Sequence, residues 1–145
     1  MIKDIVTDTS ILSIPTKPST PADMTQVIVD LADTAYWYAH TSENGCAGLA
    51  ANQIGYDESV IVIKYQSELW FPMINPVLLS RSASRKTMRE GCLSRPGRSP
   101  KISRSKSIKV AYTNSHLKRV TGRFTGFTAR VIQHELEHLN GVYIT

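Results

Sequence analysis

Apolar residues recur at three- and four-residue steps through residues 19–40, STPADMTQVIVDLADTAYWYAH. Met24, Val27, Ile28, Leu31, Ala35 and Tyr38 fall on one face there, which predicts an amphipathic helix. Thr20 suits the N-cap, Pro21 the first helical position, and Asp23 the positive first turn. The turn-rich run TSENG ends the helix. SVIVIKY (59–65) then reads as a strand from its β-branched content, and SIKVAYT (107–113) as another. WFPMINPVLLS (70–80) predicts one or two strands broken by Pro72 and Pro76, since proline cannot donate to a ladder. HLKRVTGRFTG (116–126) fits an edge strand or hairpin remnant, and SRPGRSPKISRS (94–105) is loop-prone. A last helix runs from Phe127 to Asn140 and is closed by Gly141, a favoured C′ residue.

At about 100° per residue, this last helix separates into faces. Arg130, Gln133, Glu137 and Asn140 share a polar side, and Ile132, Leu136 and Leu139 an apolar one. Between them lie Phe127, Val131, His134 and His138, with Glu135 on the shoulder. Imidazoles four apart converge on one ion at about 2.0–2.1 Å, and the glutamate after the first reaches a water at the metal. The segment QHELEHLNG (133–141) therefore reads as two metal ligands with a carboxylate beside the first. The bland alternative is a pair of helical histidines in ordinary hydrogen bonds. Two ligands leave the site incomplete. His40 closes a helix, His116 lies in a polar turn, and nothing in LNGVYIT can serve, so the third ligand lies upstream, with Cys92 of MREGCLSRP the evident thiolate.

A chain of 145 residues suits a single domain. With no internal repeat and no linker, residues 1–145 read as one α+β domain. No apolar run is long enough to cross a membrane, and MIKDIVTDTS lacks the apolar region of a signal peptide. Cys46 and Cys92 are too few for a disulfide framework, so they read as reduced thiols in a cytoplasmic protein. The net charge of +5 is uneven: ten of the 17 Lys/Arg lie between Arg81 and Lys109, where Glu90 is the only acid. Such a stripe is either a solvated surface or a contact for phosphates and carboxylates. No aromatic residues interleave it, which argues against a base-stacking platform and a specific nucleic-acid partner.

EGCLS (90–94), QHELEHLNG (133–141) and GLAANQ (48–53) together resemble the three signature motifs of peptide deformylases, in the family's order. The resemblance implies mixed, mainly antiparallel sheets around a central C-terminal metal-binding helix, with a second helix toward the N-terminus. It implies one divalent ion on Cys92, His134 and His138, a set that leaves a fourth position for water. Ferrous iron is the ion the family implies; thiolate and imidazole ligands also suit zinc, and nickel or cobalt are further alternatives. Glu135 would be the general base. The Gln53 side-chain amide and the Leu93 backbone N–H would stabilise the oxyanion. Gly48 would let a substrate strand approach, alongside Cys46 and Ala47. Cys46 stands where the family usually has glycine, and Glu137 where many members have aspartate. Met88, Phe127 and Val131 would line an apolar pocket for the methionine side chain, its rim altered by Arg130; Phe127 and Val131 read equally well as plain core.

The implied reaction is removal of the formyl group from N-formylmethionyl nascent chains, with release of formate. A small zinc endopeptidase would need a ligand after His138, and a non-enzymatic RNA-binding module with a structural metal would need a fourth protein ligand; neither is found. The chain stops four residues after Gly141, where many bacterial deformylases carry a longer tail. Minimal virus- or phage-encoded forms are similarly short, and for those the expected location is the host cytoplasm. The basic stretch 81–109 is then the expected source of any transient ribosome contact.

Overall fold

The computed structural model describes residues 1–66 and 69–142. A short helix α1 (Thr9–Leu12) precedes a 3₁₀ turn at Pro21–Asp23 and the helix α2 (Thr25–Thr41). The helix expected from Thr20 is thus split: Pro21 opens the 3₁₀ turn, whose end is marked by the Met24 N–H bonding Pro21 O at 3.2 Å, and regular α geometry begins one residue later. Such tight turns are frequent at helix N-termini. The Gly/Ala-rich stretch forms a short strand β1 (Gly48–Ala50) and a 3₁₀ turn over Ala51–Ile54. Then come β2 (Val60–Tyr65), β3 (Leu69–Arg81), β4 (Arg85–Arg89), β5 (Lys101–Ser105), β6 (Ser107–Thr113) and β7 (Arg119–Thr125). The helix α3 (Gly126–Leu139) follows β7 directly.

Five strands form one antiparallel sheet in the order β1-β2-β3-β6-β7, and β4 pairs β5 in a separate ribbon. The sheet lies between the two long helices, and β2 shows why its sequence is apolar without interruption. Ile61 and Ile63 pack with Ile132 and Leu136 of α3, whereas Val60 and Val62 pack with Val27 and Leu31 of α2. All four strand residues are fully buried. A strand covered on both faces needs apolar side chains at every position, not every second one.

The two prolines do not break β3. The register with β6 shifts between Ile74 and Val77, so Pro76 sits in a bulge beside Asn75, whose φ is 50°. Pro72 opposes Val62 in the part of β3 that runs past the end of β6, where β2 is the one neighbouring strand among the described residues. The loop expected over 94–105 ends in β5, and β4 has no hydrophobic signal at all, being exposed along its whole length. The edge strand expected over 116–126 is β7.

The polar face assigned to α3 is in part a buried one. Arg130 and Gln133 are 5% and 8% exposed, and both turn onto the β4–β5 ribbon. Gln133 accepts from the Ser105 N–H at 3.1 Å and donates back to Ser105 O at 2.9 Å, imitating a ladder pair. At the other end of α3, Gly141 N–H bonds His138 O and Val142 N–H bonds Glu137 O, the double closure of a Schellman motif. Gly141 has φ +78°, and a Cβ there would lie 2.5 Å from Ser13 O, so glycine is required twice over.

The N-terminal residues are tied to α2 through Asp30, whose side chain is 2% exposed. It accepts from Tyr56 Oη at 2.5 Å, the Met1 ammonium at 2.9 Å and Gln26 Nε2 at 2.8 Å. Burial works against its charge, but these donors outweigh burial and hold its carboxyl down to about 2. A carboxylate depressed in the folded state stabilises the fold above its ordinary titration range, and that stability is lost as pH falls toward the folded value. Asp30→Asn should therefore melt below wild type at pH 7, and the gap should close between about pH 5 and pH 2. Thermal midpoints of both proteins across that range check this; a constant gap would show that the ionised form contributes nothing.

Candidate metal centre

Three elements build the centre. His134 and His138 project from α3, one turn apart, with Nε2 atoms 3.2 Å from each other. Cys92 follows β4 by three residues and places Sγ 3.2 Å from His138 Nε2. Ligand atoms of the three residues all lie within 4.8 Å of one another. Tetrahedral ligands on bonds of about 2.0–2.3 Å sit roughly 3.3–3.6 Å apart, so this spacing fits a single ion.

The surroundings favour a cation. Glu90 Oε1 accepts from His134 Nδ1 at 3.0 Å, leaving Nε2 for the centre; a carboxylate behind a ligating imidazole fixes its orientation and tautomer. Burial lowers the affinity of His134 for a proton, yet the hydrogen bonds to Cys92 and Glu90 prevail and push it up to about 10. Burial, with the neighbouring His134, drives His138 down to about 3. His138 is thus held as a neutral imidazole, the form in which histidine ligates a metal. Burial opposes ionisation of Glu90 too, but His134 and Arg104 hold it down to about 2.

Glu135 is 4% exposed, and its Oε1 is buried with no hydrogen-bond partner among the described residues. Burial, with the nearby Glu90 charge opposing the attraction of His134 and Arg104, raises its carboxyl to about 7. A carboxyl in that range both takes and gives a proton near neutral pH. Gln53 sits across the centre: Nε2 donates to Ser94 Oγ at 3.1 Å and reaches Cys92 Sγ at 3.6 Å, while Oε1 accepts from Ala50 N–H. Asn52 Nδ2 donates to His138 O at 2.7 Å and pins the 3₁₀ turn to α3.

A cleft of about 500 Å³ opens onto these groups. Cys46, Ala47, Gly48, Gln53, Cys92, Leu93, Phe127, Val131, His134 and Glu135 all line it. Met88 is not among its lining residues; it sits in β4 opposite Ile102 and is 37% exposed. Phe127 is at the start of α3 and 62% exposed, whereas Val131 is 8% exposed. The Cys46 thiol donates to Gly48 O at 3.3 Å, and burial pushes it up to about 12. Sequence reasoning had no role for Arg104 or Ser94 and none for Glu90 beyond its motif. The signal for Glu90 was its isolation as one acid among ten bases, which implies partners.

Comparison with known proteins agrees with this geometry. A profile described as polypeptide deformylase matches residues 2–145. The peptide deformylase of Clostridium beijerinckii is 39% identical over 144 residues, covering 99% of this chain and all of that one. That of Aquifex aeolicus is 38% identical, covering 98% of this chain and 85% of its own length. Among solved structures, Thermotoga maritima peptide deformylase superposes with a TM-score of 0.88 at 33% identity, over 99% and 95% of the two chains. The deformylase of Vibrio parahaemolyticus bacteriophage VP16T, solved with actinonin, has a TM-score of 0.86 at 27% identity, over 97% and 99%.

Gly48 is set against α3 so closely that a Cβ would lie 2.7 Å from Val131 Cγ1 and 2.9 Å from Glu135 Oε2. Gly48→Ala should therefore cost roughly 1–3 kcal/mol, as overpacking generally does, and displace the Glu135 carboxyl. Urea unfolding and a crystal structure of the variant check both. Unchanged stability together with an unmoved Glu135 would show that β1 yields instead.

Proposed function

We infer from one premise, that the chain belongs to the peptide deformylase family, how its residues divide the work of removing the formyl group from N-formylmethionine on nascent polypeptides. The observation that carries the assignment is the convergence of Cys92, His134 and His138 beside a buried Glu135 oxygen without a hydrogen-bond partner among the described residues, at a cleft lined by Cys92, His134 and Glu135. Cys92, His134 and His138 would hold one divalent ion, ferrous iron by the family's habit, with zinc, nickel or cobalt as substitutes. Such an ion would supply Lewis acidity and lower the pKa of water, to about 7 in favourable cases. Residues 1–145 would act as one catalytic domain.

Glu135 would take a proton from the attacking water and return it to the departing amine, so that formate and the free amino terminus leave with atoms balanced. Gln53 Nε2 and the Leu93 N–H would donate to the formyl oxygen as negative charge gathers on it. β1 is an edge strand paired only with β2, and Gly48 lies on it in the cleft wall. A substrate peptide adding there as a strand would bind mainly through its backbone, which tolerates varied sequence. Cys46 and Ala47 precede that edge. Phe127 and Val131 would contact the methionine side chain. Met88, being outside the cleft lining, would act at most from behind β4.

Glu135→Gln should keep the metal and lose about 10²- to 10⁴-fold in rate, the usual worth of general acid–base help. Cys92→Ser should lose metal, and Cys46→Ser should retain it. Formate release from formyl-Met-Ala-Ser and metal content of the three purified variants are the measurements. Equal metal in both serine variants would remove Cys92 from the ligand set, and near-normal turnover in Glu135→Gln would remove the base.

Among the described residues no helix is long and apolar enough to cross a membrane. For the basic stretch we propose a transient ribosome contact through its exposed part, which includes Arg98 and Lys101, since Arg104 is buried in the ion-pair cluster. Two phosphate contacts would weaken affinity about tenfold between 50 and 200 mM salt. Co-sedimentation with ribosomes at those two salt concentrations should show that loss in wild type and weak, salt-insensitive binding in Arg98→Glu with Lys101→Glu. Unchanged binding in the double variant would make the stripe a solvated surface.

A further inference from the structure

Arg130 has no part in the reaction derived above, yet it is 5% exposed and lines the cleft. NH1 donates to Glu90 Oε2 at 2.5 Å and to Ile102 O at 3.0 Å, and NH2 donates to Lys86 O at 2.5 Å. Lys86 belongs to β4 and Ile102 to β5. One planar guanidinium therefore grips both strands of the ribbon and the acid that directly follows β4. Its rigid fork allows it to serve several acceptors at once.

The ribbon needs such a grip. It has five residue pairs, and β4 is exposed throughout. Two-stranded ribbons are marginally stable alone in water. Cys92 leaves the ribbon two residues past Glu90, while His134 and His138 belong to α3. The separation of thiolate and imidazoles is then set by how firmly ribbon and helix are joined. Gln133 joins them farther along, at Ser105. Arg104 is part of β5 and reaches back to Glu137 of α3. Arg130 acts at the Cys92 end, one turn from His134.

We propose that Arg130 is a positioning residue of the metal centre: it holds Cys92 within reach of His134 and His138, and so governs how long the ion is retained and how the thiolate meets it. The proposal rests on the reading of Cys92, His134 and His138 as ligands. Residues that orient metal ligands from behind typically change affinity or activity about 10- to 100-fold when replaced. Arg130→Leu keeps much of the stem but none of the donors. Arg130→Lys keeps a charge, but one ammonium cannot span the three acceptors.

The test uses full-length cobalt(II)-loaded protein: wild type, Arg130→Leu, Arg130→Lys, and Arg85→Gln, whose exposed side chain hydrogen-bonds Ser103 and Ser105 within the ribbon itself. Metal release to excess chelator should be about 10- to 100-fold faster in Arg130→Leu, with a smaller change in Arg130→Lys. The thiolate-to-cobalt absorption band should weaken or shift in both, and kcat should fall more than KM rises. Arg85→Gln should match wild type. If Arg130→Leu does not fold, Arg130→Lys carries the same readouts. Wild-type release and an unchanged band in a folded variant, even one that melts earlier, would overturn the proposal and leave Arg130 as packing alone. A wild-type cobalt protein without any thiolate band would overturn the ligand reading, and the proposal with it.

Discussion

The carboxylate of Glu90 receives His134 Nδ1, Arg104 Nε and NH2, and Arg130 NH1. Those donors come from α3 and from β5, and Glu90 itself comes from the segment after β4. A single buried anion therefore ties together every element that carries a residue of the candidate metal centre. A cluster of this kind stabilises less by its net energy than by the cost of disrupting it. Removing one partner from a buried pair leaves an unpaired charge, typically at about 3–5 kcal/mol. The cluster consequently orients His134, whose Nε2 faces Cys92 and His138 and not away from them.

The other constraint is steric. α3 is buried on nearly every side, by the five-stranded sheet, the ribbon and the turn at Ala51–Ile54. Gly48 allows β1 to lie against Val131 and Glu135, and Gly141 allows the segment at Ser13 to cross the end of the helix. Fully buried Ala50 and Ala51 continue that close approach. The small residues of GLAANQ thus answer to packing, while Asn52 and Gln53 in the same run answer to the centre, one holding His138 O and the other standing beside Cys92. Structural and chemical demands are met by adjacent residues on one turn.

The same packing explains which sequence expectations needed revision. Arg130 and Gln133 look like solvent-facing residues by helical period, because periodicity registers polarity and has no means of detecting a polar partner. Their partners are the Glu90 carboxylate and backbone groups of strands whose own sequences, RKTMR and KISRS, carry no apolar alternation. Pro72 and Pro76 look like strand breaks because the pattern cannot show that β6 ends before it reaches the first and that β3 itself bulges at the second. Met88, one residue before Arg89 and close in sequence to EGC, sits in β4 opposite Ile102 and is not among the residues that line the cleft.

What the sequence by itself determined is the family and most of the framework: the HExxH spacing puts two imidazoles four apart on one helix with a carboxyl next to the first, and a helix obeys its period wherever it lies. The long helices, β2, β6 and the glycine stop at Gly141 were likewise legible, because each is a local pattern with a local cause. Tertiary structure decided the rest. That Cys92 meets His138 across 46 residues, that Glu90 stands behind His134, and that two polar residues of α3 are buried are all consequences of long-range pairing. A hydrogen bond between distant segments leaves no periodic trace in either, so only the folded chain, where buried donors and acceptors must find each other, reveals which residues they are.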